Sequence, residues 1–244
     1  MPLPALPFLR LPTRFPRFVA ALLSAPLLLA PAIPVGAAGL TIPPPAAETA
    51  APAEAALQSV VLAGGCFWGV QAVFQHTKGV RQAESGYAGG TQASAKYELV
   101  SLGNTGHAEA VQVTFDPREI SFGTILQIYF SVAHDPTELN RQGPDVGTQY
   151  RSEIFYQNAE QQQAAQAYVA QLNAAKVFKR PIVTRIEPLN GFYAAEAYHQ
   201  DYATLHPYQP YIMFNDLPKV EALKRMFTDV YREVPVTVSA AKTN

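Results

Sequence analysis

The 244-residue chain has a single cysteine, Cys66, a single tryptophan, Trp68, and almost no net charge. One cysteine excludes an internal disulfide and any metal site built from several thiolates. The five histidines fall at no metal-ligand spacing beside that cysteine, so we expect no metal. A formal net charge of -1 gives no electrostatic reason to expect nucleic acid or an anionic membrane surface as a partner. The chain also lacks repeats and heptads, which disfavours a purely structural protein.

The first fifty residues differ in composition from the rest of the chain. Three arginines between residues 10 and 17 precede an apolar stretch that is broken by prolines and ends in small residues at 35–37. This pattern is typical of a secretory signal peptide, 1–37. The alternatives are an uncleaved membrane anchor, for which the apolar core is short, and a mitochondrial presequence, for which it is too continuous. We expect an exported, periplasmic protein that meets a membrane only if this segment stays uncleaved.

The remaining chain divides into three parts by composition. Residues 38–56 are rich in proline and alanine and predict a linker with nothing to pack. Residues 57–234 contain neither a repeat nor a second linker, so we expect one domain, followed by a C-terminal tail at 235–244. This length is enough for a substantial core, and we expect a monomer.

Hydrophobic patterning in the domain predicts strands and helices in the order β-α-β-β-α-β, with further elements after them. Ser121 and Asn158 are expected helix caps. The order favours an α+β fold, a two-layer ferredoxin-like α/β plait with a mixed sheet, helices on one face and an additional C-terminal helix. Strands are predicted at 57–64, 79–90, 107–117, 152–156 and 182–189, and helices at 66–77, 121–133, 158–176 and 218–232.

Cys66 stands at the end of a short apolar run, directly after two glycines. Gly64 and Gly65 permit a tight turn from strand to helix, which places Cys66 in the first helical turn. Free backbone N–H groups and the helix dipole favour a thiolate there. The dipole contributes only about 0.3–1 kcal/mol, so the helix acidifies the thiol modestly and does not ionise it fully. The alternative, favoured by residue type alone, is a buried structural cysteine.

Glu109 is a candidate proton donor on the strongly alternating strand 107–117. If the apolar face of that strand is the core face, the carboxyl is turned toward apolar surroundings, which would raise its pKa and keep it partly protonated. Such a carboxyl suits proton donation beside a thiol. The alternative is a strand-end glutamate that faces solvent. The apolar residues on the same face are Val111, Val113 and Phe115.

Several segments, in register over roughly residues 58–215, resemble those of the peptide methionine-(S)-sulfoxide reductase family, MsrA. They carry glycines, aromatics and acids at matching places, so the series is far more specific than any one motif. The matching segments are GCFWG (65–69), GYAGG (86–90), Tyr97, TGHAEAVQVTFDP (105–117), HDPT (134–137), RQGPDVGTQYRS (141–152) and AYHQDYATLHPYQPYI (197–212).

This resemblance implies that the chain reduces methionine-(S)-sulfoxide, free or in oxidised proteins, with no bound cofactor. The cysteine would attack the sulfoxide sulfur while a protonated carboxyl delivers a proton to the oxygen, leaving a sulfenic acid. The implied catalytic residues are Cys66 as nucleophile, Glu109 as proton donor, and Tyr97 and Tyr150 as donors to the sulfoxide oxygen. The implied substrate-binding residues are Phe67 and Trp68 around the methyl group, with Asp145 and Tyr202 in less defined roles.

One departure from the family matters for turnover. Many members carry a second, resolving cysteine just after the tyrosine that Tyr211 matches, and here that place is Ile212. Because the chain has no other cysteine, an intramolecular disulfide is impossible. We therefore expect the Cys66 sulfenic acid to be reduced by an external thiol, either a thioredoxin-like protein or a small thiol.

The residues alone leave two other functions open. A cysteine hydrolase or acyl transferase would need a histidine base, and His107 is the nearest candidate by motif. The acids and hydrogen-bond donors expected around Cys66 disfavour it. The other alternative is an exported binding module in which Cys66 is merely buried.

Overall fold

The computed structural model describes residues 39–46 and 55–241. The predicted signal peptide, 1–37, lies outside these residues. Within them, no helix combines the length and the apolarity that a membrane crossing requires. The strands are β1 (Gln58–Gly64), β2 (Val80–Ala88), β3 (Ala108–Phe115), β4 (Arg141–Gln142), β5 (Asp145–Val146), β6 (Ser152–Tyr156), β7 (Arg185–Pro188) and β8 (Phe192–Ala194). The α-helices are α1 (Phe67–Gln75), α2 (Tyr97–Val100), α3 (Phe122–Ile128), α4 (Ala159–Ala174), α5 (Tyr202–Leu205), α6 (Leu217–Met226) and α7 (Val238–Ala241).

The central sheet has six strands in the order β7-β6-β1-β3-β2-β8. β3 lies between β1 and β2 and is antiparallel to both, so β1 and β2 are parallel strands joined by α1. β6 pairs with the other edge of β1, again antiparallel. This arrangement is the split βαβ topology of a ferredoxin-like plait, and the parallel pair β6–β7 makes the sheet mixed. The predicted fold class is confirmed.

The sheet carries a large core on its helical face and a small apolar cluster on the other. Val60 and Leu62 of β1 belong to the large core, together with buried residues of α1, α3, α4 and α6. Val61 and Ala63 belong to the small cluster, which contains only residues of strands and the loops beside them. β1 is therefore buried on both faces, which explains its continuous apolar sequence.

Two helix caps lie where the sequence predicts them, and α6, the last predicted helix, begins one residue before its predicted start. The side chains of Ser121 and Asn158 accept hydrogen bonds from backbone N–H groups in the first turns of α3 and α4. Pro218 lies in the first turn of α6. The predicted end at residue 232 is wrong, because Phe227 leaves helical geometry and Arg232 N–H donates to His76 O.

The other boundary differences have similar local causes. The strand predicted at 182–189 is only four residues long, since the Val183 N–H donates to Pro136 O and not to a sheet neighbour. The hairpin β4–β5 and the edge strand β8 were not predicted, being two or three residues long and without clear alternation. The tail is attached to the domain, because the Val238 N–H donates to Asp201 Oδ1.

The prediction of an unpacked linker at 38–56 is wrong for its first part, residues 39–46. The Ile42 side chain is buried in the large core, and its carbonyl accepts a hydrogen bond from Gln127. Tyr168 of α4 donates to Pro43 O at 2.7 Å. Prolines remove N–H donors but leave every carbonyl free to accept, so this extended strap is held by side chains from two helices.

We expect Ile42→Ala to lower the free energy of unfolding by about 2 kcal/mol or more, because it empties a fully enclosed apolar position. Urea denaturation of the two proteins measures the difference. The matched control is Leu40→Ala on the same strap, where 41% of the residue is exposed. That control should change the free energy of unfolding by less than about 0.5 kcal/mol. Equal values for wild type and Ile42→Ala would show that the strap does not contribute to the core.

Candidate active site

The turn between β1 and α1 presents Cys66. Gly65 has φ +89°, in the left-handed region, and a Cβ atom there would lie 2.5 Å from Gln142 Cγ. Only glycine combines that backbone angle with so close a neighbour. Cys66 itself is the N-cap of α1 and does not lie within the first turn. The tight strand-to-helix turn inferred from the two glycines is thus present, with the cysteine one position earlier than predicted.

The thiol of Cys66 is enclosed, with only 8% of the residue exposed. Burial raises its pKa well above the ordinary value for cysteine, and the nearby Glu109 carboxyl raises it further. A hydrogen bond from the Trp68 backbone N–H acts in the opposite direction and is weaker. The expected modest acidification is therefore wrong, because desolvation outweighs the helix terminus. At neutral pH Cys66 is therefore a protonated thiol.

Glu109 lies on the core side of β3 and is only 3% exposed, which rules out the solvent-facing alternative. Its Oε2 accepts a hydrogen bond from the Phe67 N–H at 3.1 Å, so the carboxyl lies against the same helix start that presents Cys66. Burial raises the pKa of Glu109 to about 8, against the effect of that hydrogen bond. A buried acid that keeps its proton at pH 7 stands beside the thiol.

A cavity of about 140 Å³ opens over these two groups. It brings together seven of the eight residues that the sequence nominated. Its volume suits the end of one side chain better than a large ligand. The lining residues are Cys66, Phe67, Trp68, Tyr97, Glu109, Asp145, Tyr150 and Tyr211.

The tyrosines around the cavity differ in what their hydroxyls do. Tyr211 donates to the Asp145 carboxylate. In the described part of the chain, the hydroxyls of Tyr97 and Tyr150 have no hydrogen-bond partner. Burial raises the pKa of both, so both are protonated donors at neutral pH. The cavity therefore offers two free O–H groups to an oxygen atom placed in it.

Tyr202 is the one predicted site residue that does not line the cavity. Its ring stacks on Trp68 with centroids 3.9 Å apart and planes 11° from parallel. It supports a cavity wall from behind, and Tyr211 occupies the lining position in its place. The sequence interpretation named Tyr211 only as a landmark next to Ile212, because tyrosines on a loop give no periodic signal for direction.

Three further residues near the site escaped the sequence interpretation. His199 packs against the rings of Phe67 and Tyr97, with centroid distances of 5.1 and 4.5 Å. The motif AYHQDY contained this histidine, but nothing in the sequence assigned it a role. Asp216 and Lys219 form a buried ion pair near α1. The sequence interpretation placed Lys219 at the beginning of a predicted helix and assigned Asp216 to no element.

His107 does not serve as a base for Cys66. Its Nδ1 accepts from the Gly90 N–H at 3.2 Å, and its Nε2 lies 2.9 Å from the Thr91 carbonyl, to which it donates. Both ring nitrogens are thus used, and the residue is not part of the cavity lining. A hydrolase that depends on His107 has no support in this geometry.

A larger cavity, of about 490 Å³, lies on the other side of the sheet, beside the small apolar cluster. Its most buried cationic group, Arg151, donates to Glu153, to Thr148 O and to Gly106 O. The guanidinium therefore already has its hydrogen-bond partners within the protein. This cavity contains no thiol, so the chemistry belongs to the smaller one.

Known proteins of one family resemble this chain along most of its length. The family model described as peptide methionine sulfoxide reductase matches residues 58–230. The chain is 57% identical over 194 residues to peptide methionine sulfoxide reductase MsrA 2 of Mesorhizobium japonicum, covering 80% of this chain and 98% of that one. It is 51% identical over 178 residues to the MsrA of Deinococcus radiodurans, covering 73% and 86%.

Two solved structures resemble the fold. Reduced Mxr1 from Saccharomyces cerevisiae aligns with a TM-score of 0.57 and 32% identity, over 63% of this chain and 87% of that one. Methionine sulfoxide reductase A of Corynebacterium diphtheriae aligns with a TM-score of 0.55 and 33% identity, over 64% and 78%.

Proposed function

Since the chain belongs to the peptide methionine sulfoxide reductase family, we propose how the residues of its cavity divide the reduction of methionine-(S)-sulfoxide. Cys66 attacks the sulfoxide sulfur, and Glu109 protonates the sulfoxide oxygen. Tyr97 and Tyr150 donate hydrogen bonds to that oxygen. The rings of Phe67 and Trp68 enclose the methyl group of the substrate.

The single observation that carries this assignment is the pairing of two protonated groups at one helix start. A buried thiol is a poor nucleophile, so it needs a substrate made electrophilic as the bond forms. Glu109, with a pKa of about 8, supplies the proton that draws electrons from the sulfoxide sulfur. The thiol proton of Cys66 then returns Glu109 to its acid form. No proton is needed from solvent overall.

The bonds and electrons balance over the reaction. Cys66 Sγ first bonds to the sulfoxide sulfur, and that S–S bond and the S–O bond of the substrate then break as the oxygen, now a hydroxyl, bonds to Cys66 Sγ. The methionine sulfur gains two electrons and leaves as a thioether. Cys66 loses two electrons and carries the hydroxyl as a sulfenic acid, Cys–SOH.

Regeneration of Cys66 uses an external thiol. The thiol attacks the sulfenic acid, releases water and forms a mixed disulfide, which a second thiol opens to restore Cys66. In this chain the place of a resolving cysteine is held by Ile212, which is fully buried in an apolar cluster with Ala72, Ala203 and Val220. The protein binds no cofactor in this scheme. A thioredoxin-like protein or a small thiol supplies the two electrons.

We expect the enzyme, mixed with excess methionine-(S)-sulfoxide and no reductant, to make one methionine per Cys66 and stop. Intact-mass spectrometry should show one added oxygen atom, and a reagent specific for sulfenic acids should label Cys66. Cys66→Ser is the control and should show neither product nor label. An internal cross-link, or repeated turnover without thiol, would contradict the scheme.

We also propose that the protein works outside the cytoplasm, in the periplasm. The arginine-led apolar segment before residue 37 supports this. N-terminal sequencing of the protein recovered from the periplasmic fraction tests it. A start at Ala38 agrees with cleavage, an intact N-terminus in the membrane fraction indicates the anchored alternative, and recovery only from the cytoplasm contradicts export.

A further inference from the structure

We propose that the buried pair Asp216–Lys219 controls how readily Cys66 becomes a thiolate. The Lys219 ammonium stabilises the negative charge of the thiolate, and the Asp216 carboxylate destabilises it. The inference rests on Cys66 being the attacking thiol. It assigns a task to the segment after Ile212, where this chain has a charged pair and no second cysteine.

The pair lies directly against the helix that Cys66 begins. Asp216 is the N-cap of α6, which packs on α1, and Lys219 lies one turn later. A Cβ atom added at Gly69 would come within 2.2 Å of Asp216 Oδ1 and 2.8 Å of Lys219 Nζ. Gly69 is three residues after Cys66, so the two positions share one side of α1. Glycine at position 69 is what lets both charges approach this closely.

Both members of the pair are buried, and neither is fully satisfied by the other. Asp216 is fully enclosed, and its Oδ1 accepts from Lys219 Nζ at 3.5 Å, which is a long contact. Asp216 Oδ2 has no hydrogen-bond partner among the described residues. A buried ammonium with three donors, and with a single long hydrogen bond to the described residues, keeps much of its field for neighbouring groups.

The charge of Lys219 acts on the acidic groups that line the cavity. Burial is the largest influence on the pKa of the Cys66 thiol and raises it, and Glu109 and Asp216 add to the rise. The Lys219 ammonium lowers the same pKa, by less than Asp216 raises it. It also lowers the pKa of Asp145, against a larger rise from burial. The titratable acids that share the cavity with the thiol are Glu109 from β3 and Asp145 from β5, and the pair at the start of α6 adds one further acid and the ammonium.

This charge matters most when Cys66 must leave as a thiolate. In the last step an external thiol attacks the mixed disulfide, the S–S bond to Cys66 breaks, and its electron pair stays on Cys66 Sγ. A thiol with a lower pKa leaves faster. Burial disfavours the thiolate that forms when Cys66 leaves, and the charge of Lys219 offsets part of this effect.

Alkylation of Cys66 by iodoacetamide tests the proposal without any sulfoxide or reductant. Only the thiolate reacts, so the rate at a fixed pH below the thiol pKa follows the thiolate fraction. We expect Lys219→Met to slow alkylation severalfold, and Lys219→Arg to restore most of the rate. Asp216→Asn keeps an acceptor for Lys219 while removing the negative charge that acts more strongly on the thiol, so it should speed alkylation by a larger factor.

The opposite signs separate a charge effect from structural damage. Lys224→Met, on the exposed side of α6 where Lys224 pairs with Glu233, is the control and should leave the rate unchanged. If the Lys219 and Asp216 variants change the rate in the same direction, or not at all, the proposal is wrong. Should Lys219→Met fail to fold, Asp216→Asn alone decides. Failure of sulfoxide reduction would instead count against the proposed function and leave these rates untouched.

Discussion

Glu109→Gln should lower kcat for methionine-(S)-sulfoxide by about 10²–10⁴-fold while leaving KM within a few-fold of wild type. The amide keeps the shape of the side chain and can still accept the Phe67 N–H, but it has no proton to give to the sulfoxide oxygen. Steady-state kinetics with an external thiol in excess measures both constants. A full rate in the variant would show that the proton comes from elsewhere.

The pH profile gives the same substitution a second, independent signature. The proton donor is present below its pKa and lost above it, and for Glu109 that value is about 8. In the wild type, single-turnover rates should therefore be flat near neutral pH and fall as pH rises through about 8. The Gln variant should lose this fall, because amides do not titrate in that range. A wild-type rate that keeps rising through pH 9 would contradict the assignment.

Glu109→Gln should raise the stability of the protein although it lowers the activity. Because burial raises the pKa of Glu109 from 4.5 to about 8, its favourable contribution exists below pH 4.5 and is lost as pH rises toward 8. At pH 7 the loss is on the order of 3 kcal/mol, at about 1.4 kcal/mol for each pH unit. Glu109→Gln removes this loss of stability, so at pH 7 the variant should unfold at a higher urea concentration than the wild type.

The strand pattern around Glu109 shows why part of the site was predictable. Alternation over 108–115 determines which side chains share a face, so an acid in step with Val111 and Val113 is expected on the core face, and the structure buries it there. The turn at Gly65 is equally local, because two glycines between an apolar run and a helical pattern leave few other geometries. Both features depend only on neighbours in the sequence.

Tyr202 and Tyr211 show where that reasoning ends. They lie nine residues apart on a segment of short helical turns, and no period says which ring faces the cavity. Tertiary packing decides: Tyr202 stacks on Trp68, while Tyr211 reaches Asp145. The family resemblance implied that Tyr202 binds substrate and assigned no role to Tyr211.

The predictions for the strap at 39–46 and for the pKa of the Cys66 thiol are wrong for a shared reason. A composition rich in proline is typical of an unpacked linker, but its carbonyls find donors on α3 and α4 that lie about 85 to 125 residues away. The pKa of Cys66 likewise depends on what surrounds the helix start and not on the helix alone. Desolvation is a property of the assembled core, and no local window of sequence contains it.

The double substitution of Tyr97 and Tyr150 by phenylalanine should lower kcat by about 10²–10³-fold, with each single change costing less. Both hydroxyls line the cavity, and among the described residues neither is used by the protein. Two donors aimed at one oxygen partly replace each other, so the losses should not add. A double-mutant cycle on single-turnover rates measures the coupling between them.

Tyr211→Phe is the matched control for this pair. Its hydroxyl lines the same cavity but already donates to Asp145, so its loss should act through Asp145 and change kcat less than the double substitution does. Strict additivity of the Tyr97 and Tyr150 effects would mean that the two hydroxyls serve different atoms. If Tyr211→Phe alone equals the double variant, the donor to the sulfoxide oxygen is Tyr211 and the assignment of Tyr97 and Tyr150 is wrong.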